Sequence, residues 1–365
     1  MSEGAPPAAA PPPLSPRAPA PLRRPSGWAA VCRFGGIGDN LMVSSVLPQL
    51  RAKYGRVEVI TQAPQSGVFE NNPHVDKLSI YERGDLPGDN DAWQAWFRLR
   101  AKEYDFFVNL SHSCETSLVF MRGQTQFWWP VEVRRKLCDR SYLEFVHDVC
   151  GLPYECDPRF FPTAEEKEQA LRTRARYAAG RRVVGWCLTG TRLDKIYPYT
   201  ALAIARLIRE LDASVMMFGA PGKDLELARQ VQTHVKRQNG DDAGLLLALS
   251  PDPENPTWPV RRNIAQLQAC DLAIGPDTGP MWGVAREPLP KIMLLSHASP
   301  TNITRHWVNT ATLHADPARV PCWPCHRLHD APDTCVASAD GQAAACVSDL
   351  GVETVLATAR RLLDS

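Results

Sequence analysis

Residues 269–285 read ACDLAIGPDTGPMWGVA, an apolar run followed by a Gly-Pro-Asp-Thr-Gly-Pro turn and a short helical segment. A strand, turn and helix in that order aim backbone N–H groups at the carboxyl end of a strand, where open α/β sheets bind ligands. A diphosphate suits that position. Gly279 lets a ligand approach the backbone closely because it has no side chain, and Pro280 suits a first helical turn, whose N–H would go unpaired anyway. Asp277 and Thr278 offer hydrogen bonds to sugar hydroxyls, although taken alone either is more simply a helix N-cap.

A second turn, Gly35-Gly36-Ile37-Gly38-Asp39, joins an apolar strand to an amphipathic helix. It lacks the spacing of the dinucleotide fingerprint, and Asp39 would repel a pyrophosphate at that helix end. The loop, with Gly36 and Gly38 on the acceptor side, serves chemistry better: Asp39 can take a proton from an acceptor hydroxyl as a general base. N-capping is the simpler role, and one carboxylate can do both. A third segment, Thr189-Gly190-Thr191-Arg192-Leu193-Asp194-Lys195, follows another predicted strand. Lys195, with the Thr189 and Thr191 hydroxyls, can hold donor phosphates and neutralise a departing diphosphate. It is not a Walker A loop, and a solvated lysine beside an exposed Asp194 is the plain alternative.

The chain has 11 cysteines, and most fall in apolar segments that read as buried strands or helices, where reduced thiols fit. Cys322, Cys325, Cys335 and Cys346 differ, because they cluster in one irregular stretch. Four thiolates can hold one tetrahedral Zn, or an iron, and so fold that stretch; free thiols explain the cluster equally well. His297, His306 and His314 show no metal spacing and read as surface or satisfied core residues.

The elements that must position these groups alternate. Strands are expected at 28–34, 56–61, 77–81 and 105–111, with helices at 39–54, 92–102 and 131–150. A Pro-punctuated linker at 151–163 precedes a second alternation: strands at 182–188, 214–218, 271–275 and 291–296, helices at 164–179, 199–211, 223–236, 260–269 and 352–363. This is an α/β protein of two Rossmann-like lobes, 27–150 and 164–365, with a cleft between them. Residues 1–26 are rich in Ala and Pro and read as a disordered tail. With 41 basic and 40 acidic residues in 365, no overall basic field argues for nucleic acid. No transmembrane run or secretory signal is seen, which points to the cytoplasm.

Taken together, Phe34-Gly35-Gly36-Ile37-Gly38-Asp39-Asn40-Leu41-Met42, Leu47-Pro48-Gln49-Leu50, Asn72-Pro73-His74-Val75-Asp76 and Gly275-Pro276-Asp277-Thr278-Gly279-Pro280-Met281 resemble the bacterial heptosyltransferases of glycosyltransferase family 9. The resemblance implies the GT-B fold, ADP-heptose as donor, Asp39 as base, Lys195 on the donor phosphate and the Asp-Thr-Gly turn at the donor. An inverting transfer to lipopolysaccharide core, peripheral to the inner membrane, or to a protein hydroxyl would follow. Trp282 stands where the family commonly has His. The cysteine cluster looks more like that of the autotransporter heptosyltransferases, which bind iron there and glycosylate protein. The competing readings are an inactive nucleotide-sugar-binding or scaffold protein of the same fold and, weakened by the missing fingerprint, an NAD-dependent oxidoreductase.

Overall fold

The computed structural model describes residues 27–178, 180–188, 192–240, 245–246, 257–329, 335 and 343–364. The tail expected at 1–26 and the candidate donor residues Thr189 and Thr191 lie outside them. Strands β1 (Trp28–Cys32), β2 (Arg56–Gln62), β3 (Lys77–Tyr81) and β4 (Phe106–Asn109) form a parallel sheet in the order β3-β2-β1-β4. Strands β5 (Arg182–Cys187), β6 (Ala213–Phe218), β7 (Leu245–Leu246), β8 (Leu272–Pro276), β9 (Lys291–Leu294) and β10 (Thr310–Leu313) form a second parallel sheet, β10-β9-β8-β5-β6-β7. The short strands β7 and β10 escaped the sequence reading.

Both orders reverse direction at one place. In the first sheet β1 lies between β2 and β4; in the second, β5 pairs with β6 on one side and β8 on the other. Helices leaving such neighbours go to opposite faces, which opens a crevice at the carboxyl ends of the strands. The turn carrying Asp39 follows β1, the turn carrying Lys195 follows β5, and Asp277 follows β8. All three motifs therefore sit at switch points.

Side-chain alternation divides the cores. Ala29 and Val31 of β1 face a large apolar cluster shared with Val183, Met281 and Met293, whereas Ala30 and Cys32 face an aromatic group including Tyr104 and Trp96. The far face of the second sheet is covered by helices Thr200–Glu210 and Val352–Leu363, the latter through Val355, Leu356 and Ala359. The C-terminal helix thus packs on the second sheet. Among the described residues no helix is long and apolar enough to cross a membrane.

Two expected helices are broken. The helix expected at 39–54 is Ile37–Val43 followed by Leu47–Tyr54. Between them the Ser44 and Ser45 hydroxyls donate to the carbonyls of Leu41 and Met42, and Pro48 sits in the first turn of the next helix, where it has no N–H to lose. The helix expected at 131–150 is Val131–Cys138 and Tyr142–Val149, restarted by Ser141, whose Oγ accepts from the Glu144 N–H at 3.4 Å. Apolar periodicity continues through both breaks, so it hid them.

The two sheets meet through glycine. A Cβ on Gly38 would lie 2.7 Å from the Trp282 ring, and one on Gly279 would lie 2.6 Å from Ile37 Cβ. Helix Ile37–Val43 can therefore pack directly on helix Gly279–Gly283 only with both glycines in place. Arginines add polar ties: Arg261 donates to the carbonyls of Gly67, Glu70 and Phe161, while Arg134 and Arg135 donate to the carbonyls of Cys325 and Trp323.

Candidate active site

The first half of the site is built on β1. Arg33, at the end of an apolar strand and 2 % exposed, donates to the Leu110 carbonyl at 2.6 Å and to Glu115 Oε1 at 2.8 Å. A buried guanidinium needs anions, and the second is Asp39, whose Oδ1 lies 2.8 Å from Arg33 Nη2. Asp39 is not the N-cap. Gly36 holds that place, and Asp39 sits in the first turn, where its Oδ2 accepts from the Gly36 N–H at 2.9 Å. A Cβ on Gly36 would lie 2.8 Å from that same oxygen, so the glycine makes the bond possible. Asp39 keeps a quarter of its side chain exposed. Burial raises its carboxyl above the usual range, outweighing the pull of Arg33, and Glu115 adds to the rise.

The second half joins the ends of β5 and β8. Lys195 Nζ donates to the Asp277 carbonyl at 2.6 Å and to Asp277 Oδ2 at 3.0 Å. The other carboxylate oxygen of Asp277 accepts from the Trp282 indole N–H at 2.7 Å. Asp277 therefore orients the lysine and the tryptophan, and it does not cap the helix. Thr278 occupies the N-cap position without a side-chain capping bond, and Gly279 and Pro280 open the helix Gly279–Gly283. Burial works against the Lys195 charge, but Asp277, Asp194 and Asp39 outweigh it and hold the ammonium above its ordinary range. Burial likewise raises the Asp277 carboxyl, and Lys195, His297 and the Trp282 bond bring it below its ordinary value.

Asp39 and Lys195, 156 positions apart in sequence, are thus close enough for one charge to strengthen the other. Gly36, Gly38, Asp39, Lys195, Asp277, Thr278, Gly279 and Pro280 stand around one junction between the two sheets. A carboxylate of raised basicity faces a fixed cation and a helix start across it. Such an arrangement can remove a proton on one side and stabilise a departing anion on the other.

Four supporting side chains were not foreseen in that role. Arg33 and Glu115 hold Asp39; the signal for Arg33 was a lone arginine ending an apolar strand. Asp194, expected to be exposed, is 1 % exposed, and its Oδ2 accepts from His297 Nδ1 at 2.8 Å. His297 is 2 % exposed, a satisfied core histidine as expected, but it lies behind the candidate lysine. His306 bonds Glu144, and His314 stacks flat on Trp323.

All eleven cysteines are free. Cys322, Cys335 and Cys346 pack in one cluster with Trp323. Among the described residues, however, no three His, Cys, Asp or Glu side chains stand where one metal ion could be held. Burial pushes the thiols of Cys325 and Cys335 up to about 12, and that of Cys325 points to the Arg327 carbonyl and to His329.

No protein-family model matches the chain, and no curated protein does. Solved structures do match. One is a glycosyl transferase of family 9 from Veillonella parvula, with 16% identity, a TM-score of 0.65, and coverage of 94% of this chain and 100% of that one. Another is the ADP-heptose lipopolysaccharide heptosyltransferase II of E. coli, at 14% identity, TM-score 0.61, covering 92% of this chain and 98% of that one. A third is the iron-containing dodecameric glycosyltransferase TibC of enterotoxigenic E. coli, at 12% identity, TM-score 0.54, covering 92% of this chain and 79% of that one.

Proposed function

For a chain that has the GT-B glycosyltransferase fold, we propose an inverting transfer of a sugar from a nucleotide-sugar donor, ADP-heptose, to a hydroxyl of a saccharide or protein acceptor. The single observation that carries this reading is the meeting of Asp39, basic and a quarter exposed, with Lys195 across the two switch points. Asp39 takes the proton of the acceptor hydroxyl. The oxygen then attacks the anomeric carbon from the face opposite the diphosphate, and the bond from that carbon to the diphosphate oxygen breaks. The electron pair leaves with ADP, whose charge Lys195 and the backbone amides of Thr278 and Gly279 stabilise.

The names of two matched structures, an ADP-heptose heptosyltransferase and a relative that is iron-containing, support the donor and make a metal at the cysteines part of the same reading. Cys322, Cys325, Cys335 and Cys346 would hold a Zn or Fe only by drawing closer together than they stand in this structure, and the ion would fold their segment and take no part in the transfer. We place the protein in the cytoplasm, peripheral to the inner membrane where the acceptor is lipopolysaccharide core, with residues 27–150 as acceptor side and 164–365 as donor side.

A second reading, a nucleotide-sugar binder without turnover, draws on the ion pairs that already engage both Asp39 and Lys195. One experiment separates the two. Purified protein is incubated with a panel of nucleotide sugars including ADP-heptose, with bacterial lysate as acceptor, and nucleoside diphosphate release is measured beside an Asp39→Ala control. Release from one donor, lost in the control, supports transfer; donor binding without release under every acceptor sinks it.

A further inference from the structure

Asp194 adjoins Lys195 in the turn Leu193–Lys195, and its carboxylate is buried and hydrogen-bonded within the protein. Oδ2 accepts from His297 Nδ1 at 2.8 Å and from the Ser296 hydroxyl at 3.1 Å, and Oδ1 accepts from the His329 N–H at 3.4 Å. Three distant stretches meet at this one group: the turn after β5, the chain just beyond β9, and the segment that carries the cysteines. The His329 ring continues the line, with Nε2 at 3.7 Å from Cys325 Sγ. The transfer proposed above uses none of these contacts.

Burying a carboxylate is costly unless it is paired and hydrogen-bonded, so an arrangement this complete fixes the backbone that bears it. That backbone also bears Lys195, whose amide donates to the Arg192 carbonyl at 3.1 Å and whose Nζ reaches Asp277. Burial would raise the Asp194 carboxyl, but the hydrogen bond and charge of His297, with Lys195, bring it down to about 2. It is therefore an anion throughout the physiological range. The charges facing Lys195 are Asp277, Asp194 and Asp39.

We propose that Asp194 is a positioning residue that holds Lys195 for the donor diphosphate and makes that grip depend on the cysteine segment. The inference rests on the nucleotide-sugar reading, since the diphosphate is what Lys195 would grip. Asp194 touches neither donor nor acceptor. It acts through the lysine beside it and transmits, through His329, the order of the segment around Cys325.

The test uses the full chain, ADP as the probe in calorimetry, and steady-state kinetics with the donor identified by the release assay. Asp194→Asn keeps the shape, removes the charge and is expected to weaken ADP binding about tenfold or more. It should raise the donor KM more than it lowers kcat. Ser296→Ala, which removes one of the three bonds, should move both in the same direction by less, and it keeps the test open if Asp194→Asn does not fold. Asp271→Asn, a change in a half-buried carboxylate paired with Arg174 elsewhere in the sheet, should leave ADP affinity at the wild-type value and so separates positioning from general loss of stability.

Coupling is read from a double-mutant cycle. Cys325→Ser should weaken ADP binding in the wild-type background and add little to Asp194→Asn. Wild-type ADP affinity in both Asp194→Asn and Ser296→Ala, or full additivity of Asp194→Asn with Cys325→Ser, overturns the proposal while leaving the donor reading intact. Failure of the wild-type protein to bind ADP overturns both.

Discussion

The turn after β1 and the paired turns after β5 and β8 hold one charged group each, by opposite means. After β1, a single buried cation, Arg33, stands between two carboxylates, Asp39 and Glu115. Burial and the second carboxylate leave Asp39 with a raised affinity for protons. After β5 and β8 the ratio is the same, but the group of interest is the cation: Lys195 faces Asp277 and Asp194, and its charge is reinforced. The difference follows the chemistry. A base must change its protonation during a turnover, so one of its neighbours opposes its charge; a diphosphate anchor must not, so its nearest neighbours support it.

Removing the base should have the largest effect. Asp39→Asn keeps the bond to the Gly36 N–H but cannot accept a proton. We expect transfer to fall about a hundred- to ten-thousandfold, with ADP affinity within twofold of wild type by calorimetry. A retained rate would show that Asp39 only braces the helix. Lys195→Met tests the other side, where one change should affect both binding and chemistry: kcat/KM falls about a hundred- to thousandfold, and ADP binding weakens in parallel. A loss confined to kcat would place the lysine on the acceptor instead.

Sequence reading located the three turns because each announces itself by glycine or proline between an apolar run and a helix. It could also place them at strand ends, since strand alternation is a local property. It missed what supports them. Asp39 was readable from its own neighbourhood; Arg33 was not, because its need for Glu115 depends on β1 and β4 being adjacent. Asp194 looked like an exposed residue because the His297, Ser296 and His329 that bury it lie more than a hundred positions away. The broken helices failed for a different reason: serines that bond back to the preceding turn at Ser44 and Ser45, or cap the following helix at Ser141, preserve apolar spacing while interrupting the helix. Local pattern shows where chemistry is placed, and long-range pairing decides how its charges are set.

The pH profile sharpens the contrast further. Because Asp39 is raised, kcat/KM should climb as pH rises through a value above the ordinary aspartate range, and then level off. Arg33 is the group that pulls Asp39 downward. Arg33→Gln removes that pull, so the rising limb should move to higher pH, while the rate on the plateau falls less than in Asp39→Asn. A limb that stays in place, measured by nucleoside diphosphate release across pH, would mean that Arg33 braces the turn without tuning the base.

The smallest effect separates the two halves by sign. Asp39 is raised on folding, so between the ordinary aspartate value and its raised value the folded protein holds more protons than the unfolded chain, and stability falls as pH rises through that window. At neutral pH its ionised form therefore weighs against the fold. Asp194 is lowered to about 2, so its contribution is present above the unfolded value and is lost as pH falls towards 2. Asp39→Asn should accordingly raise the melting temperature at neutral pH, by an amount corresponding to about 0.5–2 kcal/mol, whereas Asp194→Asn should lower it. The Asp194→Asn deficit should shrink as both proteins are acidified, and the Asp39→Asn gain should shrink over the higher window set by its raised value. Shifts of the same sign in the two variants would mean that the carboxylates share one structural role and that the base is not held at a cost to the fold.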